Sequence, residues 1–326
     1  MSKVSICIPI YGVEKYIERC VRSLFEQTLD SIEYVFIDDC SPDNSIVIMY
    51  KVLAEYPQRK DQVKVIRHEV NQGVGAARNH GVAACTGDYV IHCDPDDWVD
   101  LDFYEKLYNR AIASNADVVC APFITEFADL PKGKETFPRE TQSVEDYISL
   151  NTGQHLNSLW SKLFKREIAL DSTLNCPDSI CMGEDLLRNI QMLHNCKRIA
   201  FIQNSFYHYW QNSISLTHNF TEKQFENIKE IIAILDNRYQ SKYTRICFNL
   251  KANMFLGALL FQHKNNHLRA LFSENWKQIS LPGRIRIIQA STGSSKGKIA
   301  LSAACISHSL TFFILRLIFN RKSSQI

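Results

Sequence analysis

The sequence predicts an α/β protein, with a mostly parallel sheet flanked by helices and a basic helical C-terminal region. Three observations predict it. Over the first 120 residues, short apolar runs of strand length alternate with stretches of helical spacing. Two aspartate clusters, Asp38-Asp39 and Asp94-Pro95-Asp96-Asp97, stand directly after two of those runs. Charge is also lopsided: Asn237 to Ile326 holds 14 Lys or Arg and one acid, Glu274, in a chain of net charge +2.

Taken in order, Val4 to Ile10 is a strand and Glu14 to Gln27 a helix, with Tyr16, Ile17, Cys20, Val21, Leu24 and Phe25 on its apolar face. Tyr34 to Ile37 is a second strand. Ser41-Pro42 then reads as N-cap and first residue of a helix reaching about Tyr56. Val63 to Ile66 is a strand, Val74 to Ala84 a helix, Tyr89 to Cys93 a strand, Leu101 to Ala113 a helix and Asp117 to Cys120 a strand. Strands buried on both faces and separated by helices specify a parallel sheet with right-handed crossovers. Such sheets bind ligands beyond the carboxyl ends of their strands, where both acidic clusters fall. Pro122 to Pro138 suggests a hairpin or an excursion from the sheet. Helices follow at Ser143 to Leu150 and Glu184 to Asn195, with a strand at Arg198 to Ile202. From Thr221 the chain reads helical, over about 221–240 and 244–263. The expected division is 1–220, in halves 1–120 and 121–220, and a basic region 221–326.

Composition is that of a globular protein, 45% hydrophobic and 22% charged. Eleven cysteines are scattered without a CxxC pair or zinc spacing, which points to reduced core thiols and a cytoplasmic location. Met1-Ser2-Lys3 leads straight into a strand, so no signal region is expected. The basic C-terminal bias calls for an anionic partner: a membrane surface, a diphosphate-bearing acceptor or nucleic acid.

Asp94, Asp96 and Asp97 repel one another, and the usual justification for such a cluster is a cation or strong donors. Oxygen-only ligands at a strand end favour Mg²⁺ or Mn²⁺ brought in with substrate phosphates; the bland alternative is an Asx-turn leading into the next helix. Asp38 can accept from a ribose hydroxyl or a base N–H, or cap the helix after Pro42. Gly73-Val74-Gly75 lacks the third glycine of a dinucleotide fingerprint and follows the third strand, which argues against nicotinamide binding. Ile8 to Glu14 contains no phosphate loop of the kind a nucleotidyltransferase needs. His208 and His218 stand near aromatics as ligands or as structural residues, and Tyr207, Tyr209 and Trp210 either stack on a sugar or pack.

Four motifs occur in register: Val4-Ser5-Ile6-Cys7-Ile8-Pro9-Ile10-Tyr11, Asp38-Asp39-Cys40-Ser41, Asn71-Gln72-Gly73 with Ala77-Arg78-Asn79, and Asp94-Pro95-Asp96-Asp97-Trp98. In this order and spacing the chain resembles the family 2 inverting glycosyltransferases, strongly over 3–120. It does so more weakly through Trp160-Ser161-Lys162-Leu163, Gly183-Glu184-Asp185 and Tyr209 to Ser215. The resemblance implies a GT-A fold over 1–220 and transfer of a sugar from a nucleotide-diphosphate donor, chiefly UDP-linked, to a glycan or lipid-linked hydroxyl in surface polysaccharide synthesis. It implies a nucleotide-sugar site of Pro9, Tyr11, Glu14, Asp38, Asp39, Asn71, Arg78, Asp94 and Asp97, with Asp39 reading the base and Asp94 near the ribose. Asp96 would hold the Mg²⁺ or Mn²⁺, Asp185 would be the catalytic base, and Trp160, Lys162 and Glu184 would lie on the acceptor side. No nucleic-acid partner is then expected. The alternative is a nucleotide-sugar-binding protein without turnover, which would be expected to lose Asp185. Gly12 stands where relatives carry asparagine, a change confined to the turn. Trp210 stands where relatives often carry arginine, which leaves a phosphate contact there open.

Ile299 to Leu315 has no Lys, Arg, Asp or Glu and is flanked by Lys296, Lys298, Arg316, Arg321 and Lys322. Its Ser302, Ser307, His308, Ser309 and Thr311 make it too polar for an ordinary spanning helix of about 20 apolar residues. An interfacial helix making peripheral contact with the cytoplasmic membrane face is the first expectation, a bundle helix the second and a spanning helix the third.

Overall fold

The computed structural model describes residues 2–290 apart from 129–131, 152, 178, 181, 212–219, 241 and 262–265. The expected 299–315 segment, its basic flanks and His218 lie outside the described residues. The chain divides into two compact units, Met1–Ser213 and Ile214–Ile326.

The first unit is built on the strands β1 (Val4–Ile10), β2 (Ile32–Asp38), β3 (Val63–Arg67), β4 (Tyr89–His92), β5 (Trp98–Val99) and β6 (Val118–Cys120). It continues with β7 (Phe123–Phe127), β8 (Lys134–Thr136), β9 (Lys162–Lys165), β10 (Ile199–Phe201) and β11 (Tyr207–Gln211). Its helices are α1 (Ile17–Phe25), α2 (Ser45–Glu55), α3 (Val74–Ala83), α4 (Phe103–Ser114), α5 (Val144–Leu150), α6 (Gln154–Asn157), α7 (Arg166–Ala169) and α8 (Glu184–Asn195). Seven strands form the main sheet in the order β10-β6-β9-β4-β1-β2-β3. β1 pairs parallel with β2 and β4, β2 with β3, and β10 with β6; β9 runs antiparallel between β4 and β6. The expected mostly parallel α/β sheet is therefore present, with one reversed strand that the sequence reading passed over.

β1 and β2 are central because every residue of each is buried, as their continuous apolar runs require. β3 departs from the expectation of burial on both faces: it is the edge strand and is half-exposed throughout, with Lys64 and Arg67 outermost. The loop expected to begin the first helix is used otherwise. Gly12, Val13 and Glu14 donate their N–H groups to Ser41 Oγ, Ser45 Oγ and Asp43 Oδ2, so α1 starts at Ile17 rather than Glu14. In the same way Asp43 accepts from Ser45 N and from the Ser41 hydroxyl, and α2 begins at Ser45 rather than Pro42. Gly12 has φ +68°, a left-handed conformation that Gly or Asn adopts at least cost.

The helix α3 lies against β1 and β2 at Gly81, where an added Cβ would collide with Cys7 Sγ and Ile37 Cδ1. This close approach fixes the depth of the helix that carries Arg78. The expected hairpin after Pro122 is β7–β8, antiparallel, and it belongs to a second sheet of order β5-β11-β7-β8. None of the nine described cysteines is in a disulfide, and all but Cys40 are buried.

The second unit contains α9 (Glu222–Tyr239), α10 (Thr244–Phe261), α11 (Asn266–Gln278) and α12 (Leu281–Ala290). Thr221 and Gln224 close a capping box at the start of α9. α10 packs against the other three helices, with Phe255 edge-on to Phe225, Phe272 and Trp276. Among the described residues no helix is long and apolar enough to cross a membrane. α12 leaves Leu281 and Ile285 exposed one turn apart.

Candidate active site

The parallel strands β1, β2 and β4 deliver their carboxyl ends, and the residues following them, to one edge of the sheet. There Arg78, buried on α3, gathers three carboxylates. Its NH2 donates to Asp94 Oδ1 at 2.9 Å, and its NH1 donates to Glu184 Oε1 at 3.0 Å and to Asp185 Oδ1. Asp94 follows β4, while Glu184 and Asp185 open α8, where the helix N-terminus also favours acids. Three carboxylates from two separate segments thus meet on one guanidinium.

The electrostatics follow from one cation shared by three acids. Burial disfavours the Arg78 charge, but Asp185, Asp94 and Glu184 outweigh it, so the guanidinium is held protonated more firmly than usual. Burial pushes the Asp185 carboxyl well above the ordinary range; Arg78 pulls it back, and Glu184 and Asp94 push it further up. Burial, then Asp94, raises Asp96 to about 6. Arg19 and Arg78 pull the Asp96 carboxyl back only in part.

The remaining expected residues divide into groups. Asp39 is buried and accepts from Gln72 N and Gly73 N, each at 2.8 Å, with His68 Nδ1 at 2.7 Å. It ties the end of β2 to the loop carrying Asn71, which is exposed. Asp38 accepts from Ser41 N and pairs with Arg67; it does not cap the following helix, which begins at Ser45, and it lies at the same edge as Asp39. Glu14 accepts from Asn44 at the start of α2. Pro9 is buried in β1, and Tyr11 beyond its end is 51% exposed.

Three expected residues point into the protein. Asp97 is fully buried, accepting from the Tyr207 hydroxyl and Trp210 N, each at 2.7 Å. Trp160 is 4% exposed and stacks on Tyr207 at 4.3 Å. Lys162 has no exposed surface; its ammonium donates to the carbonyls of His155 and Ser158 and to Ser161 Oγ, and burial pulls it down to about 8. These three brace the site from behind, in contact with its supporting loops.

Further neighbours complete the site: Tyr207 and His208, named from sequence without a settled role, and Arg188 and Arg19, which were not singled out. Tyr207 OH accepts from Asp94 N while donating to Asp97, which fixes the turn between β4 and β5. Arg188, one turn after Asp185, bonds Asn79 next to Arg78 and so locks α8 to α3. Its spacing from Asp185 was the available signal. The Arg19 guanidinium lies 3.5 Å from the Trp98 ring centre and donates to the Asp96 carbonyl. His208 lies between Glu126 at 2.8 Å and Asp100 at 3.0 Å; burial opposes its charge, but the two acids outweigh burial and raise its pKa. Both ring nitrogens are taken, so the structural alternative holds for His208. Trp98 stacks on that ring at 4.9 Å, which places the aromatic cluster in packing.

The family model for glycosyl transferase family 2 matches residues 5–173, spanning β1 to the segment before α8. The chain belongs to that family. It is 30% identical over 237 residues to a cholesterol galactosyltransferase of Borreliella burgdorferi, covering 66% of this chain and 64% of the relative. Its fold is similar to that of S. aureus TarS 1-349 in complex with UDP-GlcNAc, with TM-score 0.63, 19% identity and coverage of 99% and 92%. It is also similar to a mannosyltransferase of Pyrobaculum calidifontis in complex with GDP-Man and Mn²⁺, with TM-score 0.52, 13% identity and coverage of 96% and 83%. These likenesses establish the GT-A fold. The chain spans a little under two thirds of the length of the curated relatives it matches.

Replacing Arg78 by Met strands three acids without their cation, with an expected loss of about 3–5 kcal/mol at neutral pH. A carboxyl raised in the folded state, as Asp185 is, stabilises the fold when protonated and loses that contribution as pH rises through its folded value. The deficit should therefore shrink between about pH 7.5 and about pH 5.5. Urea unfolding of both proteins at the two pH values measures it; an equal deficit at both would remove carboxylate repulsion as the cause.

Proposed function

We propose that this protein is an inverting glycosyltransferase that moves a sugar from a UDP-linked donor to the hydroxyl of a glycan or lipid-linked acceptor in surface polysaccharide synthesis. The observation that carries the reading is the convergence of Asp94, Glu184 and Asp185 on Arg78 at the carboxyl edge of the sheet. The donor nucleotide lies along that edge, with Asp39 reading the base and Pro9, Tyr11, Asp38, Asn71 and Asp94 around it. Asp185 removes the proton of the acceptor hydroxyl as its oxygen attacks the anomeric carbon, opposite the departing diphosphate. One displacement needs one base and inverts the configuration. A base is most effective with its pKa moved from the ordinary acid range toward the working pH, and burial moves Asp185 that way.

The residues after β4 fit a divalent cation. The donors are all oxygen, and Asp96 and Asp94 form a carboxylate pair with a raised member. Among the described residues no group of three or more His, Cys, Asp or Glu is placed to hold a metal ion. Mg²⁺ or Mn²⁺ suits such a site, because it is commonly held by one or two carboxylates with substrate phosphates. Asp96 would hold it, and when bound it supplies charge neutralisation on the leaving phosphates.

The basic bias of residues 237–326 and the exposed Leu281 and Ile285 on α12 support peripheral contact with the cytoplasmic membrane face, close to a lipid-linked acceptor. Flotation with anionic and neutral vesicles tests this. The full chain should float with anionic vesicles, less so in salt and less again when truncated after Ser295; indifference to anionic vesicles at low salt removes the membrane from the proposal.

Asp185→Asn should keep donor affinity within a few-fold and lose transfer by about 10²–10⁴. Titration calorimetry with UDP and a transfer assay with UDP-sugars separate the two effects, and loss of donor binding would instead make Asp185 a binding residue. Asp96→Asn should keep its unfolding midpoint and abolish most Mn²⁺-dependent turnover, with partial rescue by excess metal. Unchanged turnover would take the metal away from Asp96.

A further inference from the structure

Behind Asp39 stands a chain of two imidazoles that the proposed reaction does not use. His68 follows β3, and its side chain is 4% exposed. Its Nδ1 lies 2.7 Å from Asp39 Oδ1, and its Nε2 lies 2.9 Å from Nδ1 of the exposed His80 on α3. The two rings are perpendicular, with centroids 5.0 Å apart.

Hydrogen-bond capacity orders this chain. A carboxylate can only accept, so His68 Nδ1 carries a proton and donates to Asp39. In the neutral ring Nε2 is then an acceptor, and His80 Nδ1 must donate to it. Asp39 thereby fixes the tautomer of His68, and His80 holds the tilt of its ring. A carboxylate offers about four acceptor positions. On Oδ1 both are filled, by His68 Nδ1 and Gln72 N; on Oδ2 one is filled, by Gly73 N. A single acceptor position remains, on Oδ2.

We propose that His68 is a positioning residue for base recognition: by occupying Asp39 Oδ1 it leaves one acceptor position, which selects uracil over guanine, and His80 holds it in register. The inference rests on the reading that Asp39 meets the donor base. Uracil presents one ring N–H between two carbonyls and needs one acceptor. Guanine presents two parallel donors, N1–H and the 2-amino group, and one of them would be left without a partner. A buried polar group left unpaired is strongly penalised, which makes the count of open acceptor positions a basis for selectivity. Removing His68 opens the second oxygen and lets the carboxylate turn.

Titration calorimetry of the full chain with UDP and with GDP tests this on the wild type, His68→Leu, His68→Asn and His80→Ala. His68→Leu should weaken UDP binding about tenfold and GDP binding less, so that the preference narrows. His68→Asn, whose amide can donate to Oδ1, should recover most of the UDP affinity and the preference. His80→Ala alters only an exposed ring and should narrow the preference a few-fold, which keeps the test informative if His68→Leu fails to fold. Equal losses for UDP and GDP, or no rescue by Asn, would assign His68 a structural role and overturn the proposal. Variants that bind and discriminate like the wild type would overturn it too, leaving the donor reading intact. A wild type that binds neither nucleotide overturns the donor reading and the proposal together.

Discussion

A buried guanidinium facing three carboxylates is the constraint around which the first unit is arranged. Charges removed from water each cost several kcal/mol unless partners replace the solvent, and Arg78 is 5% exposed. Its partners come from the end of β4 and the first turn of α8, so neither element can move without stranding a charge. α3 is held at the required depth by the bare Cα of Gly81 against Cys7 and Ile37. Arg188, bonded to Asn79, ties α8 back to the same helix. Even so one guanidinium faces three carboxyl groups, and burial together with the neighbouring acids raises Asp185.

A second layer keeps the acidic turn in place. Tyr207 accepts from Asp94 N and donates to Asp97, while Trp160 stacks on its ring. Lys162, on the strand that follows Trp160, draws the carbonyls of His155 and Ser158 together. These residues stand in motifs shared with the family, yet their contacts are with the scaffold. A motif records what a site needs, and part of that need is a rigid back wall.

The sheet was legible because its strands are continuous apolar runs, and the carboxyl-edge position of both acidic clusters followed from parallel pairing. α8 was legible to the residue, since its apolar spacing and opening acids agree. The helix starts at Ile17 and Ser45 were not, because the intervening N–H groups are satisfied by a turn from another part of the chain. β9 was missed since a four-residue strand with a lysine at each end carries no periodic signal of its own. In the site, Arg78, Asp94, Glu184 and Asp185 were named in advance from motifs, but their meeting on one cation was not. The inward placement of Asp97, Trp160 and Lys162 and the pairing of His68 with Asp39 depend on contacts between distant segments.

The reversed strand β9 has a bearing on how the chain reaches its fold. It fills the gap between β4 and β6, two strands made well before it. During synthesis β4 therefore emerges with one edge paired to β1 and the other bare, and it stays so until Lys162–Lys165 arrives. An unpaired edge of this kind is a template for non-native pairing, and non-local closure of a sheet is slow relative to local helix formation. The nascent chain carries an open half-sheet until the ribosome has passed β9, and in that interval shielding by a chaperone has the most to offer.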